Sequence, residues 1–264
     1  MRENKVQTIV RAGGVVVNGW LSIPSSFAAE VMAHQGFDSL TIDLQHGPIH
    51  FDVALPMLQA IATTEVTPLA RVPWNEPGMI MKLLDAGAYG IICPMINNRA
   101  ECEALVGACK YPPLGYRSNG PTRARFYAGA DYGERANETV LALAMIETAE
   151  AMQNLDAIMS VPGLDGIYVG PADLSIGLQG KMPPNPLSPA VMEALVVIKE
   201  ATHRHNLIAG IHGVSVQHVL QVIELGYQFV TLQSDVAFLS AQASATVAAV
   251  RQREVKGAQT PKMY

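Results

Sequence analysis

Two carboxylates frame the chemistry this chain could do. Glu147 is the first charge after the apolar run Leu141–Ile146, and Asp173 follows Ile167-Tyr168-Val169 across a Gly170-Pro171 turn. Short apolar runs bounded by turn residues read as buried strands. Two acids just past neighbouring buried strands could hold a divalent cation, since Mg²⁺ is bound through one or two protein carboxylates while water and substrate oxygens complete its octahedron. Either acid alone could equally be a helix N-cap or a surface charge. Other polar residues fall at matching places: Asp43, Gln45 and His46 after one run, Arg71, Pro73 and Trp74 after the next, His212 after Leu207–Ile211, and Ser234 and Asp235 after Phe229–Leu232. His46 could act as a base near neutrality, or only cap a helix. Arg71 could stabilise a developing anion, or serve as a structural ion-pair residue. His212 could bind a carboxylate or a hydroxyl. His203, His205 and His218 read as helix-surface residues and Trp74 as packing.

The elements that must position these groups alternate along the chain. The spacing predicts strands at Val15–Trp20, Ser39–Leu44, Thr67–Ala70, Gly90–Cys93, Leu141–Ile146, Gly166–Val169, Leu207–Ile211 and Phe229–Leu232. These runs are not polar at every second position, so both faces need cover, as in a parallel sheet flanked by helices. Helical stretches fall between them: Ser26–His34, Pro77–Asp85, Arg99–Lys110, Ala149–Met159, Ser188–His205, Val216–Leu225 and Val236–Lys256. Eight strands alternating with helices point to an α/β fold, a (β/α)₈ TIM barrel, as one domain over residues 1–264. Gly36, Gly87, Gly163 and Gly226 each stand just before the second, fourth, sixth and eighth strands, where glycine closes a helix in the left-handed conformation. The irregular segment Tyr111–Tyr132 is expected over the barrel mouth. Polar residues at strand C-termini are where barrel enzymes place their chemistry.

Composition narrows the class. The chain is 49% hydrophobic and 16% charged with a net charge of −5, and no basic run suggests nucleic acid or an anionic membrane. No apolar segment is long enough to span a bilayer or to act as a signal peptide. Cys93, Cys102 and Cys109 show no metal or redox spacing, which suits a reducing cytoplasm. None of the lysines ends a predicted strand, which counts against Schiff-base chemistry.

Seven stretches in order resemble the HpcH/HpaI aldolase family, the class II pyruvate aldolases. They are Phe37–His46, Arg71-Val72-Pro73-Trp74, Leu83–Ala88, Ile92-Cys93-Pro94-Met95, Pro112–Ser118, Ile146-Glu147-Thr148 and Gly166–Ser175. The resemblance implies a TIM barrel assembled as a homo-oligomer, usually a hexamer with active sites near subunit contacts. It implies metal ligation by Glu147 and Asp173 to Mg²⁺, Mn²⁺ or Co²⁺, a proton acceptor at His46, and enolate stabilisation by Arg71. Asp85 would raise the basicity of the histidine from a neighbouring subunit, and the backbone N–H groups of Ala172 and Asp173 would bind the substrate carboxylate. The implied reaction is the reversible cleavage of a 4-hydroxy-2-oxo acid to pyruvate and an aldehyde. Asp43 or Asp85 could hold the second ring nitrogen of His46. The chain departs from the family pattern at Gln45, where many members have Glu, at Met145, where many have a substrate-contacting Gln, and at His212, where others carry an apolar residue. These departures leave the aldehyde half of the substrate open. A citrate-lyase-like enzyme acting on a CoA thioester and a non-catalytic keto-acid-binding barrel are the rival readings.

Overall fold

Eight short strands, each too apolar to face water, pair in parallel and in chain order until the last meets the first. They are β1 (Val16–Leu21), β2 (Ser39–Asp43), β3 (Thr67–Arg71), β4 (Gly90–Cys93), β5 (Leu141–Ile146), β6 (Gly166–Val169), β7 (Ile208–His212) and β8 (Phe229–Ser234). The structure is a computed structural model that describes residues 1–182 and 187–255; the predicted helix end at Lys256 and the outermost part of the 1–264 domain span lie outside the described residues. The ring closes between β1 and β8, with a register shift between Asn18 and Trp20. The (β/α)₈ barrel anticipated from the strand spacing is therefore the fold.

Around it run α1 (Lys5–Arg11), α2 (Ser26–Ala33), α3 (Phe51–Ile61), α4 (Pro77–Asp85), α5 (Arg99–Cys109), α6 (Ala124–Ala128) and α7 (Tyr132–Thr139). The second half carries α8 (Ala149–Gln153), α9 (Leu155–Met159), α10 (Pro171–Gln179), α11 (Pro189–Arg204), α12 (Val216–Glu224) and α13 (Asp235–Val255). Strand alternation sends Leu40, Ile42, Ala142, Ala144, Ile167 and Val169 outward into the apolar layer shared with the helices. Val16, Trp20, Leu69, Leu141, Leu143, Met145, Tyr168 and Phe229 fill a second, interior cluster. Helix α1 seals the end where the strands begin: Val6 joins that cluster, Ile9 and Val10 pack on it, and the Asn4 amide donates to Tyr89 O and Thr139 O.

Gly36, Gly87, Gly163 and Gly226 all have the positive φ anticipated for them, between 88° and 103°. Each reverses a helix into the next even-numbered strand without the steric penalty a side chain would incur there. Other expectations fail. Helix α3 was not foreseen, because Pro56 lies inside it; the buried series Ala54, Met57, Leu58 and Ile61 gives one apolar face that holds the helix despite the lost N–H. The stretch 149–159 breaks into two short helices at Asn154. The segment Tyr111–Tyr132 does not cover the mouth. It leaves α5, which has already run back to the strand-start end, and it is fixed there: Arg117 pairs with Asp85 at the end of α4, Arg123 donates to Ala86 O, and Arg2 N donates to Ala128 O.

Lys110 anchors the exit of α5 in the same region. Its buried ammonium donates to Asn137 O and to Asp165 Oδ2 at 2.8 Å, and Asp165 also accepts from Ala142 N at the start of β5. Truncating one partner of a buried pair leaves the other charge uncompensated. Lys110→Ala is expected to cost about 3 kcal/mol, with Asp165→Asn in the same chain restoring part of it. Urea unfolding of the single and double variants checks this; a loss below about 0.5 kcal/mol in the single variant refutes it.

Candidate active site

The parallel register of β2 and β3 sets Asp43 beside Arg71, both at the last positions of their strands. Arg71 is buried and grips Asp43 with two prongs, Nε to Oδ1 at 2.9 Å and Nη2 to Oδ2 at 2.7 Å. The same carboxylate accepts from the backbone N–H groups of Gln45 and His46 and from Trp20 Nε1. Burial alone would raise the Asp43 pKa, but its hydrogen bonds and charge pairing with Arg71 outweigh that and hold it below the usual carboxylate range. Trp20 also lies under the guanidinium, 4.8 Å from ring centroid to Cζ. Arg71 is thus fixed in direction. Its Nη1 has no acceptor among the described residues, and the residue lines the mouth cavity.

Across the mouth, Glu147 stands just past β5 and is 3% exposed. Its Oε1 accepts from Met95 N at 2.8 Å. Met95 holds a left-handed φ of 56°, a conformation that β-carbon residues seldom adopt and that aims this N–H at the carboxylate. A side-chain carbon on Gly170 would sit 2.7 Å from Glu147 Oε2, so β6 can approach this closely only with glycine there. Burial pushes Glu147 up to about 7; the Met95 N–H works against that rise, the neighbouring Asp173 charge adds to it and Arg71 opposes it. Asp173 and Ala172 lie in the first turn of α10, after Pro171 at its start, and both line the cavity. First-turn amides lack an intrahelical acceptor and point out of the helix end.

The cavity has a volume of about 280 Å³ and is bounded by Trp20, Arg71, Met145, Tyr168, Ala172, Asp173 and His212, among others. His212 ends β7. Its Nδ1 lies 3.3 Å from Tyr168 Oη, and its ring meets Trp20 edge-on at 5.0 Å. Burial, helped by the Arg71 charge, lowers its pKa to about 4. Arg71, Met145, Ala172, Asp173 and His212 are therefore brought together as the sequence suggested, with Glu147 behind Gly170.

His46 follows β2 by three residues and is exposed, its backbone fixed on Asp43. The Asp43 carboxylate is committed to Arg71, Trp20 and two amides, so it does not hold the His46 ring. Asp85 ends α4 near the strand-start end of the barrel, with its carboxylate on Arg117 at 2.7 Å. Within one chain it stands at the opposite end from His46. Trp74 is 58% exposed rather than packed, and His218 is buried rather than on the surface, its Nδ1 accepting from Val214 N. Sequence reasoning missed Trp20, Tyr168 and Met95. Trp20 is the one whose position, two residues on from Asn18 in an inward-facing strand register, could have marked it as a wall of the cavity.

The description HpcH/HpaI aldolase/citrate lyase matches residues 19–241. The chain is 42% identical over 248 residues to a hydroxypyruvate/pyruvate aldolase of Rhizorhabdus wittichii, covering 94% of this chain and 99% of that protein. It is 38% identical over 251 residues to a 4-hydroxy-2-oxo-heptane-1,7-dioate aldolase of Shigella flexneri, covering 93% and 92%. Its fold superimposes on an HpcH/HpaI aldolase/citrate lyase family protein from Burkholderia cenocepacia J2315 with a TM-score of 0.87 at 30% identity, covering 94% and 99%. A closed barrel with a fixed arginine and two mouth carboxylates, matched over nearly its whole length, belongs to the HpcH/HpaI aldolase/citrate lyase family and is a carbon–carbon lyase.

Proposed function

We propose that this chain reversibly cleaves the C3–C4 bond of a 4-hydroxy-2-oxo acid to a pyruvate-type 2-oxo acid and an aldehyde, with a divalent cation held by Glu147 and Asp173. One observation carries the reading: Arg71, locked by Asp43 and Trp20, lines the same cavity as Asp173, with Glu147 behind Gly170. The carboxylates fit a cation. Glu147 is buried, has no cationic partner among the described residues, and lies close enough to Asp173 for the two charges to repel. A bound Mg²⁺, Mn²⁺ or Co²⁺ would supply Lewis-acid polarisation of the keto oxygen.

The chain's own groups then divide the work. The free amides of Ala172 and Asp173 hold the substrate carboxylate. His46 takes the proton of the C4 hydroxyl as its oxygen becomes the aldehyde carbonyl. The C3–C4 bonding pair passes into the 2-oxo acid fragment as an enolate, Arg71 shares the charge on its oxygen, a contribution on the order of 3 kcal/mol for a single well-placed donor, and a proton returned to C3 completes the 2-oxo acid. Asp85 would reach His46 only from a second copy of the chain, which supports a homo-oligomer, a hexamer by family resemblance. No helix among the described residues is long and apolar enough to cross a membrane, and three free buried thiols support a cytoplasmic setting.

Pyruvate release from 4-hydroxy-2-oxo acids, coupled to lactate dehydrogenase, tests the reading. Activity is expected to vanish with EDTA, to return with Mg²⁺, Mn²⁺ or Co²⁺, and to be lost in Glu147→Ala and Asp173→Ala. Full turnover without metal sinks the cation assignment. Arg71→Ala should lower kcat about 100-fold or more while metal affinity, read by titration calorimetry, changes little; unchanged kcat removes Arg71 from the reaction. Stability should also respond to pH. Folding lifts Glu147 from about 4.5 to about 7, so the metal-free native state binds more protons than the unfolded chain across that window. Its stability therefore falls as pH rises through the window, and Glu147→Gln flattens the fall. Urea midpoints in EDTA at about pH 5 and about pH 8 check this, and identical pH profiles for the two proteins refute it.

A further inference from the structure

Behind the cavity, the barrel interior holds a line of buried polar side chains that the reaction above does not use. Asn18 on β1 sits at its centre. Its Oδ1 lies 2.8 Å from Ser39 Oγ and 3.2 Å from Thr41 Oγ1, and its Nδ2 lies 2.9 Å from Thr231 Oγ1. Thr231 Oγ1 lies 2.6 Å from Tyr168 Oη, which reaches His212 Nδ1 at 3.3 Å. Asn18, Ser39, Thr41, Thr231 and Tyr168 are all 0% exposed, so their protons have to be accounted for within the protein.

The count runs one way. Each hydroxyl has a single proton to donate. Among the described residues, Ser39 and Thr41 have one side-chain acceptor between them, Asn18 Oδ1. That orients the amide, so Nδ2 donates to Thr231. The arrangement that uses every hydroxyl proton within the chain has Thr231 donating to Tyr168 and Tyr168 donating to His212 Nδ1. With Nδ1 an acceptor, the hydrogen of the neutral imidazole is on Nε2, the nitrogen left for the cavity.

We propose that His212 determines substrate specificity by presenting a fixed Nε2–H donor to a hydroxyl oxygen of the substrate, with Tyr168, Thr231 and Asn18 as the positioning residues that set its tautomer. This rests on the aldolase reading. Burial and the Arg71 charge keep the ring uncharged near neutrality, so it offers a directional donor rather than a cation for a carboxylate. Ser22 and Ser234 line the same cavity and extend this polar wall, while Met145 lines it as an apolar residue. The hydroxyl could belong to the 2-oxo acid, at C3, or to the aldehyde; the chemistry of recognition is the same.

The test compares kcat/KM for hydroxypyruvate against pyruvate with one unhydroxylated aldehyde, and for glycolaldehyde against acetaldehyde with pyruvate. In His212→Phe, the kcat/KM ratio of one hydroxylated partner to its unhydroxylated counterpart should fall about tenfold or more. The arm that falls identifies which partner carries the hydroxyl. His212→Gln, which keeps an N–H near the Nε2 position, should recover most of the preference, and His212→Asn should not. Tyr168→Phe and Thr231→Val should erode the same ratio with His212 intact. Equal losses for hydroxylated and unhydroxylated pairs, or a ratio untouched by His212→Phe, overturn the donor; a ratio untouched by Tyr168→Phe overturns the relay. Wild-type protein that turns over no pair overturns the aldolase reading instead. In that case a thermal shift by hydroxypyruvate larger than that by pyruvate, abolished in His212→Phe, still upholds the donor, and its absence rejects it.

Discussion

The two-pronged grip of Arg71 on Asp43 organises the mouth of this barrel. A parallel register puts the two residues side by side at the ends of β2 and β3, and the carboxylate does more than neutralise the guanidinium. It gathers the indole of Trp20 and the first amides of the following loop, so the start of the loop that bears His46 is built on the same ion pair that aims Arg71. A buried ion pair seldom adds much net stability over an apolar substitute, because desolvation cancels most of the attraction. Its value here is geometric. Trp20 carries the consequence across the barrel, touching Arg71 on its face, His212 at its edge and Tyr168 in a stack at 5.8 Å.

The interior is divided into two kinds of packing. Toward the strand starts Val16, Leu141 and Phe229 pack together beneath Val6 of α1. Toward the mouth, inward positions carry Asn18, Thr41, Asp43, Arg71, Thr231 and His212, most of them satisfied by one another. Buried polar groups of this sort are expensive unless their hydrogen bonds close. Closing them removes rotational freedom from each side chain in turn. The same accounting applies to Glu147, whose one donor among the described residues, Met95 N, comes from a strained backbone residue and reaches only Oε1.

Much of this was legible in the residues. Apolar runs ending in charge located the strands, and the four glycines before alternate strands marked where helices turn back. Glu147, Asp173 and Arg71 were readable because a charge just past a buried run stands out. What stayed hidden depended on register and on long-range contact. Asp43 and Arg71 are 28 positions apart, and their pairing follows only from how β2 and β3 align. Tyr168 and Thr231 look like ordinary strand residues until the barrel closes. Helix α3 was masked by Pro56, whose local penalty is overcome by an apolar face that exists only against the barrel. The 111–132 segment was misplaced because length suggested a lid, whereas connectivity decides the matter: a segment running from a helix to the next strand belongs to the end where strands begin.

That placement has a consequence for how the molecule can vary. Helix α1, the 111–132 segment and the Arg117–Asp85 and Lys110–Asp165 pairs all fasten one end of the cylinder, while Arg71, Glu147, Asp173, His46 and His212 occupy the other. Within one chain, the clasp and the groups that meet the substrate are thereby kept on separate faces. Loops at the reacting face can be lengthened, shortened or exchanged without loosening the clasp that keeps the staves together, so new aldehydes can be accommodated by local redesign of one rim.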